Sequence, residues 1–271
     1  MYSVRNIAIL RYKLLQIGKE WVTMTEFEYS HDKATIGTDW KSRVRHKDDL
    51  LITAYHEAGH TLVNIFTENT DPVHKVTIVS KGQSGGHTAF LPERDASHHT
   101  KAQMLAKLDV YMGGRVAEEI IFGKEKVTGG ASSDLAQASS IATTYVKKLG
   151  MSEKFGLRVT HGEEEQMMSE STKNLMDAEI NRLLNESYKN ATGILKAHRR
   201  ELDLLADALL KYETLDSDDI KAIIDGNPKK LAHKNTLTSS SKILYKNSGN
   251  ISSLPAGNTE DIGPSNTGVL A

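Results

Sequence analysis

The pentapeptide HEAGH at residues 56–60 restricts the possible folds of this chain more than any other feature. Around it, apolar residues recur at helical spacing, namely Leu51, Tyr55, Ala58, Leu62 and Ile65. His56 and His60 are four positions apart, so on a helix they lie one turn apart on the same side, at the edge of the apolar face. We therefore predict a domain built around this helix, with both imidazoles facing a cleft.

The same pentapeptide has the spacing of a catalytic metal site. Two imidazoles one turn apart can bind one zinc ion at roughly 2.0–2.1 Å. Glu57 directly follows the first histidine, where it can act as a general base for water. The alternative is an ordinary helix that happens to carry these residues. Gly59 favours the site, because a poor helix former here suggests close backbone packing.

A catalytic zinc site needs a third protein ligand and an open position. The longer pattern H-E-x-x-H-x-x-G-x-x-H is excluded, since Val63 and Phe66 occupy its glycine and last histidine positions. The remaining candidates are Glu118, Glu119, Asp134, His87, His98 and His99. Each also has an ordinary interpretation; Asp134, for example, can cap a helix that begins at Leu135. Spacing alone leaves the third ligand open.

Composition excludes several other classes of function. The chain has 271 residues with 34 basic and 35 acidic side chains, so its charge predicts no nucleic-acid partner. It contains no cysteine, which excludes disulfides, thiolate zinc ligands and a cysteine nucleophile. No apolar run approaches the roughly 20 residues that a membrane span needs.

Periodicity predicts a mainly helical α+β domain over residues 48–226. The first helix is expected to begin at about residue 48, with Asp48 or Asp49 as its N-cap. Further helices are expected between Thr100 and Gly123 and over 135–148. Two long amphipathic helices, carrying Met176 to Tyr188 and Leu202 to Leu210, and a short one between Asp216 and Gly226 are expected to follow. Two short strands, KVTIV and HTAFL, are expected to form a small hairpin beside the HEAGH helix. A polar loop is expected around 160–168. Residues 227–271 have the composition of a disordered tail.

Six segments, in one consistent order, resemble the peptidase domain of the FtsH family of ATP-dependent zinc metalloproteases. They are TAYHEAGH, VTIVSKG with GHTAFLPERD, LDVYMGGRVAEEIIFG, TGGASSDLAQASSIATTYV, GMSEKFG and LLADALLKYETLD. The mitochondrial i-AAA, or Yme-like, branch is the most similar. The resemblance covers about residues 24–226, of which 24–47 resembles the linker after the family's ATPase module. Residues 1–23 remain unassigned.

The resemblance implies the remaining site residues. In the family an aspartate of the TGASxD segment completes the zinc site, which corresponds here to Asp134 in TGGASSD. Glu118 matches an acid beside the metal site and is expected to support the ligands. The strand segment Gly86, His87, Thr88 and Ala89 matches the edge along which an extended substrate pairs. One zinc ion per chain is implied, with Glu57 moving the proton during peptide hydrolysis.

The resemblance also implies a biological setting. Family members act on unfolded or membrane-protein substrates, form hexameric rings and, in this branch, belong to the mitochondrial inner membrane. No G-x-x-x-x-G-K-[ST] pattern occurs here, so we expect no ATP binding by this chain. It is interpreted as a peptidase domain without its motor, either an incomplete gene product or a stand-alone paralogue. The alternative is a non-catalytic assembly or regulatory subunit of an FtsH-like complex, against which the intact set of site residues argues.

Overall fold

The computed structural model describes residues 46–80, 84–91, 98–160 and 162–226, together with 23, 26–27, 30 and 33. The predictions for the N-terminal segment, most of the linker and the tail at 227–271 lie outside these residues.

Helices form most of the described chain, as predicted. They are α1 (Lys47–Phe66), α2 (Lys101–Phe122), α3 (Ser132–Lys147), α4 (Gly162–Gln166), α5 (Glu170–Ala197), α6 (Arg199–Tyr212) and α7 (Ser217–Ile224). Two 3-10 turns, Lys124–Lys126 and Gly129–Ala131, connect α2 to α3. The prediction of a loop at 160–168 is wrong in part, because the short helix α4 forms within it. Of the described helices, none is both long and apolar enough to cross a membrane.

A small antiparallel sheet lies beside α1. Its strands are β1 (Val73–Thr77), β2 (His87–Phe90) and β3 (Thr214–Asp216), in the order β2-β1-β3. The predicted hairpin of β1 and β2 is confirmed, with Val76 opposite Thr88. The third strand was not predicted, since three residues are too few to reveal an alternating pattern. Leu215 of β3 lies opposite Val76 on the other side, so β2 is at an edge of the described sheet.

The core forms where α1 meets α2, α5, α6 and β1. Its most completely buried apolar side chains include those of Leu62, Leu108, Met176, Leu195, Leu202, Leu205, Leu209 and Leu215. The predicted apolar faces of α5 and α6 are therefore confirmed. Ile65 is an exception on α1, because its side chain is 39% exposed at the end of the helix.

Local capping explains where several helices begin. Thr100 and Asp216 each form a capping box, in which the cap side chain and the side chain three residues later satisfy each other's backbone N–H groups. The predicted cap of α1 is wrong: His46 is the N-cap, and Asp48 and Asp49 lie in the first turn. There the partial positive charge of the helix N-terminus favours their carboxylates without a capping bond.

Two glycines bring α1 and α2 into backbone contact. A Cβ atom built on Gly59 would lie 2.5 Å from the carbonyl oxygen of Gly113 and 2.6 Å from Cβ of Ala117. A Cβ atom on Gly113 would lie 2.8 Å from the carbonyl oxygen of Gly59. These neighbours are backbone carbonyl oxygens and a Cβ atom, none of which can be moved by side-chain rotation. The expectation of close packing at Gly59 and at Gly113 is confirmed, and the contact fixes the distance between the two helices.

We expect Gly59→Ala to destabilise the protein by about 3 kcal/mol or more, because the added methyl group forces α1 and α2 apart. The measurement is the free energy of unfolding by denaturant. Gly193→Ala is the matched control, since Gly193 lies in α5 with open space where its Cβ would be. That change should stabilise the protein by up to about 1 kcal/mol. Equal effects of the two substitutions would contradict the packing role of Gly59.

Candidate metal centre

Three side chains from two helices bring their donor atoms together. His56 Nε2 lies 3.1 Å from His60 Nε2, and Asp134 Oδ2 lies 3.2 Å from the former and 3.4 Å from the latter. A tetrahedral zinc site with bonds of roughly 2.0–2.1 Å has ligand atoms about 3.3 Å apart. The spacing of this triangle therefore fits three of the four corners of a zinc site. The chemistry also fits, since neutral imidazoles and a carboxylate are ordinary zinc ligands.

The other nitrogen of each imidazole fixes the orientation of its ring. His56 Nδ1 lies 2.8 Å from Oε1 of Glu118, and His60 Nδ1 lies 2.7 Å from the carbonyl oxygen of Val110. Both partners are acceptors, so each Nδ1 carries the proton that it donates. In the neutral ring this leaves a lone pair on Nε2, on the side where the donor atoms of His56, His60 and Asp134 meet. This orientation of the two rings suits both histidines as candidate metal ligands.

Glu118 is placed to support His56. Its side chain is only 1% exposed, and its second oxygen accepts a hydrogen bond from the backbone N–H of Thr128 at 2.8 Å. Burial by itself would raise the pKa of Glu118, but the hydrogen bonds from His56 and Thr128 outweigh it and lower the pKa. Glu118 is therefore a buried carboxylate that accepts the hydrogen bond from His56 Nδ1.

The pKa values of His56 and Asp134 are shifted by the charged and hydrogen-bonding groups around them. Burial would lower the pKa of His56, but hydrogen bonds to Asp134 and Glu118 and the charge of Glu57 raise it to about 10. Burial would raise the pKa of Asp134, whereas the hydrogen bonds from His56 and His60 lower it well below its ordinary value. The carboxylates of Asp134, Glu118 and Glu57 thus favour a positive charge at this point, either a proton on His56 or a metal cation.

Gly114 of α2 forms the wall behind both imidazoles. A Cβ atom on Gly114 would lie 2.5 Å from His56 Cε1 and Nε2 and 2.6 Å from His60 Nε2. The absence of a side chain is therefore what lets two rings lie against the helix backbone. The sequence indicated only that Gly113 and Gly114 permit close packing, without distinguishing their partners. Gly113 meets the backbone of α1, while Gly114 meets the two candidate ligands.

Asp134 reaches the site because α3 begins earlier than predicted. The 3-10 turn Gly129–Ala131 leads directly into α3, whose N-cap is Ala131 without a side-chain capping bond. Asp134 consequently lies within the first helical turn. Its interpretation as the cap of a helix from Leu135 is wrong, and its carboxylate faces the histidines instead. The same helix N-terminus stabilises its negative charge.

Apart from Glu118, which contacts His56 Nδ1, the structure does not bring the remaining third-ligand candidates close to the donor atoms of His56, His60 and Asp134. Glu119 pairs with Lys124 at 3.6 Å, and His98 and His99 are exposed. His87 lines the same cleft but does not belong to the group of donor atoms. Within the described ranges, His56, His60 and Asp134 are the group of three whose donor atoms lie within 4.8 Å of one another.

Glu57 and residues of β2 also line the cleft. Glu57 is 6% exposed, and its Oε2 accepts a hydrogen bond from Thr88 Oγ1 at 2.7 Å. Gly86 lies directly beside this carboxylate: a Cβ there would be 2.7 Å from Glu57 Oε1. Of the predicted substrate-edge residues, Gly86, His87 and Thr88 line the cavity of about 870 Å³, and Ala89 does not. Sequence reasoning missed that the side chain of Thr88 contacts Glu57.

The donor atoms of His56, His60 and Asp134 surround one point, and Glu57 lies on the helix that carries both histidines. This arrangement is that of a mononuclear metallohydrolase site. The sequence profile of peptidase family M41 matches residues 43–223. The chain belongs to this family, and the predicted resemblance is confirmed.

Curated relatives agree with this assignment. The chain is 50% identical over 212 residues to the ATP-dependent zinc metalloprotease YME1L of Drosophila melanogaster, covering 77% of this chain and 29% of the relative. It is 41% identical over 232 residues to the ATP-dependent zinc metalloprotease FtsH of Neorickettsia risticii, covering 83% and 36%. The ATP-dependent zinc metalloprotease FTSH 11, chloroplastic/mitochondrial, of Arabidopsis thaliana is 42% identical over 219 residues, covering 81% and 26%. The chain thus spans about a third or less of the length of these relatives, and zinc is the metal indicated for its three donor groups.

Proposed function

We propose that residues 48–226 form a zinc-dependent metalloendopeptidase domain that hydrolyses peptide bonds in unfolded polypeptides. The observation that carries this proposal is the triangle of donor atoms from His56, His60 and Asp134, with the buried carboxylate of Glu57 on the same helix. A site that only stabilised the fold would fill all four metal positions with protein ligands. Here three side chains converge at an open cleft, which leaves room for water and a substrate.

Each side chain has a distinct role in the proposed reaction. His56, His60 and Asp134 hold zinc, which when bound supplies a Lewis acid that activates water and polarises a carbonyl group. Glu57 takes a proton from the attacking water and passes it to the nitrogen of the leaving amine. Glu118 keeps the ring of His56 in place through Nδ1. The reaction therefore consumes one water molecule and leaves Glu57 as it began.

The substrate is proposed to lie along β2. Because β2 has a described strand neighbour on one side only, an extended peptide can lie parallel to its other edge and bind through backbone groups. Gly86, His87, Thr88 and Ala89 are the residues of this proposed substrate edge. Recognition through the backbone explains tolerance of many substrate sequences, since side chains then contribute little to binding.

The wider setting follows from the relatives. Their names describe ATP-dependent proteases, and residues 1–271 contain no P-loop pattern, so we propose that any ATP binding lies outside residues 1–271. We propose that the domain works in a homo- or hetero-hexameric ring of FtsH-like subunits on unfolded or membrane-protein substrates. The Arabidopsis relative's name supports a mitochondrial location, and we propose association with the inner membrane.

The test is zinc-dependent cleavage of an unfolded protein. Purified chain should bind about one zinc ion and cleave unfolded casein, lose cleavage after treatment with a chelator, and regain it when zinc is restored. Asp134→Ala should lose zinc and activity, whereas His99→Ala, which changes an exposed residue, should keep both. Cleavage that persists without zinc, or equal loss of zinc in both variants, would refute this assignment.

A further inference from the structure

The contact between Glu57 and β2 joins two buried polar side chains from distant parts of the chain. Thr88 Oγ1 donates to Glu57 Oε2 at 2.7 Å across a separation of 31 positions, and the two residues are 8% and 6% exposed. Thr88 belongs to the strand that borders the cleft, and Glu57 belongs to the helix that carries both histidines. A short hydrogen bond to a buried carboxylate is among the stronger neutral-to-ionic contacts.

The carboxylate of Glu57 is also confined on its other side. A Cβ atom at Gly86 would lie 2.7 Å from Oε1 and 2.8 Å from Cγ of Glu57. The backbone at Gly86, the residue before β2, therefore packs against the glutamate, while the Thr88 hydroxyl donates to its second oxygen. A glutamate side chain has three rotatable bonds, and fixing them in one orientation requires contacts of this kind.

We infer that Thr88 is a positioning residue for Glu57. This inference rests on the proposed function, in which Glu57 is the general base. Correct placement of a reacting group is worth a large factor in rate, and a misplacement of about 1 Å can cost about 100-fold. The strand proposed to bind the substrate thus also sets the position of the group that moves the proton. The hydrogen bond between Thr88 and Glu57 thus aligns the general base with the strand along which the substrate is proposed to lie.

The experiment compares Thr88→Val, Thr88→Ser and the unaltered protein in cleavage of a quenched fluorescent peptide. Valine keeps the shape of threonine without the hydroxyl, and serine keeps the hydroxyl. Thr88→Val should reduce kcat by about 10-fold or more, with KM changed less than about threefold and zinc content unchanged. Thr88→Ser should retain most of kcat. A rise in KM with unchanged kcat would overturn the inference and make Thr88 only a substrate contact.

Thr77→Val is the matched control within the same sheet. Its buried hydroxyl bonds to Thr214 Oγ1 at 2.7 Å and to the carbonyl oxygen of Glu213 at 3.0 Å, away from Glu57. This variant should lose stability but keep kcat. An equal fall in kcat for Thr77→Val and Thr88→Val would overturn the positioning role, because any buried hydroxyl of the sheet would then have the same effect.

A second measurement does not depend on peptidase activity. In the zinc-free protein, Thr88→Val should lower Tm by about 3–10 °C, because it leaves a buried carboxylate oxygen without its donor. In a Glu57→Leu background the same change should have almost no effect, since the acceptor is gone. Equal shifts in both backgrounds would overturn the contact itself. If the unaltered protein cleaves no peptide, the proposed function fails. The comparison of Tm values in the two backgrounds still tests the contact between Thr88 and Glu57.

Discussion

Glu57→Gln should leave zinc bound and reduce peptide hydrolysis by about 10²–10⁴-fold, which corresponds to about 3–5 kcal/mol of activation free energy. The amide has the size of the carboxylate and can still accept a hydrogen bond from Thr88, but it cannot take a proton from water. Zinc should stay because Glu57 is not one of the three donor groups. The measurement pairs zinc content with turnover on one preparation of the variant.

A surface glutamate provides the control for this change. Glu125 lies exposed in the 3-10 turn Lys124–Lys126, and Glu125→Gln removes the same charge without touching the cleft. It should retain full turnover. Normal zinc content together with near-normal turnover of Glu57→Gln would remove the catalytic role of Glu57. The carboxylate would then act only in the packing of α1 against β2.

Gly114→Ala should lower zinc affinity by at least about 100-fold, an effect as large as the loss of a group that supports a ligand. The new methyl group would occupy positions 2.5 Å from His56 and 2.6 Å from His60, so both rings would have to leave the triangle that they form with Asp134. Turnover should fall with zinc occupancy. Zinc affinity is measured by competition with a chromophoric chelator of known affinity.

The stability of the zinc-free Gly114→Ala protein separates loss of the site from loss of the fold. The atoms displaced are the tips of side chains, so the helices can remain packed, and alanine is the better helix former by about 1 kcal/mol. The variant should therefore keep its helical circular dichroism spectrum while failing to gain stability from added zinc. Gly193→Ala, in open space on α5, should gain stability and retain zinc. Full zinc affinity in Gly114→Ala would contradict the role of this glycine.

Local patterns were enough to predict most of the helices and to single out His56 and His60 as candidate metal ligands. The spacing of His56 and His60, the helix start near Thr100 and the leucines of α6 are all properties of a few neighbouring residues. Asp134 could not be chosen in that way, because it lies 78 positions from His56 and meets it only through the packing of α1, α2 and α3. Its choice came from resemblance to a family, and its role as a zinc ligand remains a proposal.

The contacts that the sequence did not reveal involve groups without a pattern of their own. Val110 contributes only a backbone carbonyl oxygen to His60, so no side chain could indicate it. Gly114 contributes only by lacking a side chain, which leaves space for the rings of His56 and His60. Thr88 was interpreted through its position on an edge strand, whereas its side chain points to Glu57. The strand β3 is three residues long and becomes visible only when it pairs with β1.

The position of β3 near the end of the domain determines when it can pair with β1 during synthesis of the chain. Thr77 in β1 and its partner Thr214 are 137 positions apart, whereas the proposed zinc ligands all precede residue 135. At synthesis rates of about 5–20 residues per second, the 80 residues between Asp134 and Thr214 take about 4–16 s to emerge. The growing chain therefore contains every proposed zinc ligand for several seconds before β1 can gain its second neighbour. The pairing of β3 with β1 is therefore a late event, which can occur only after every proposed zinc ligand has been synthesised.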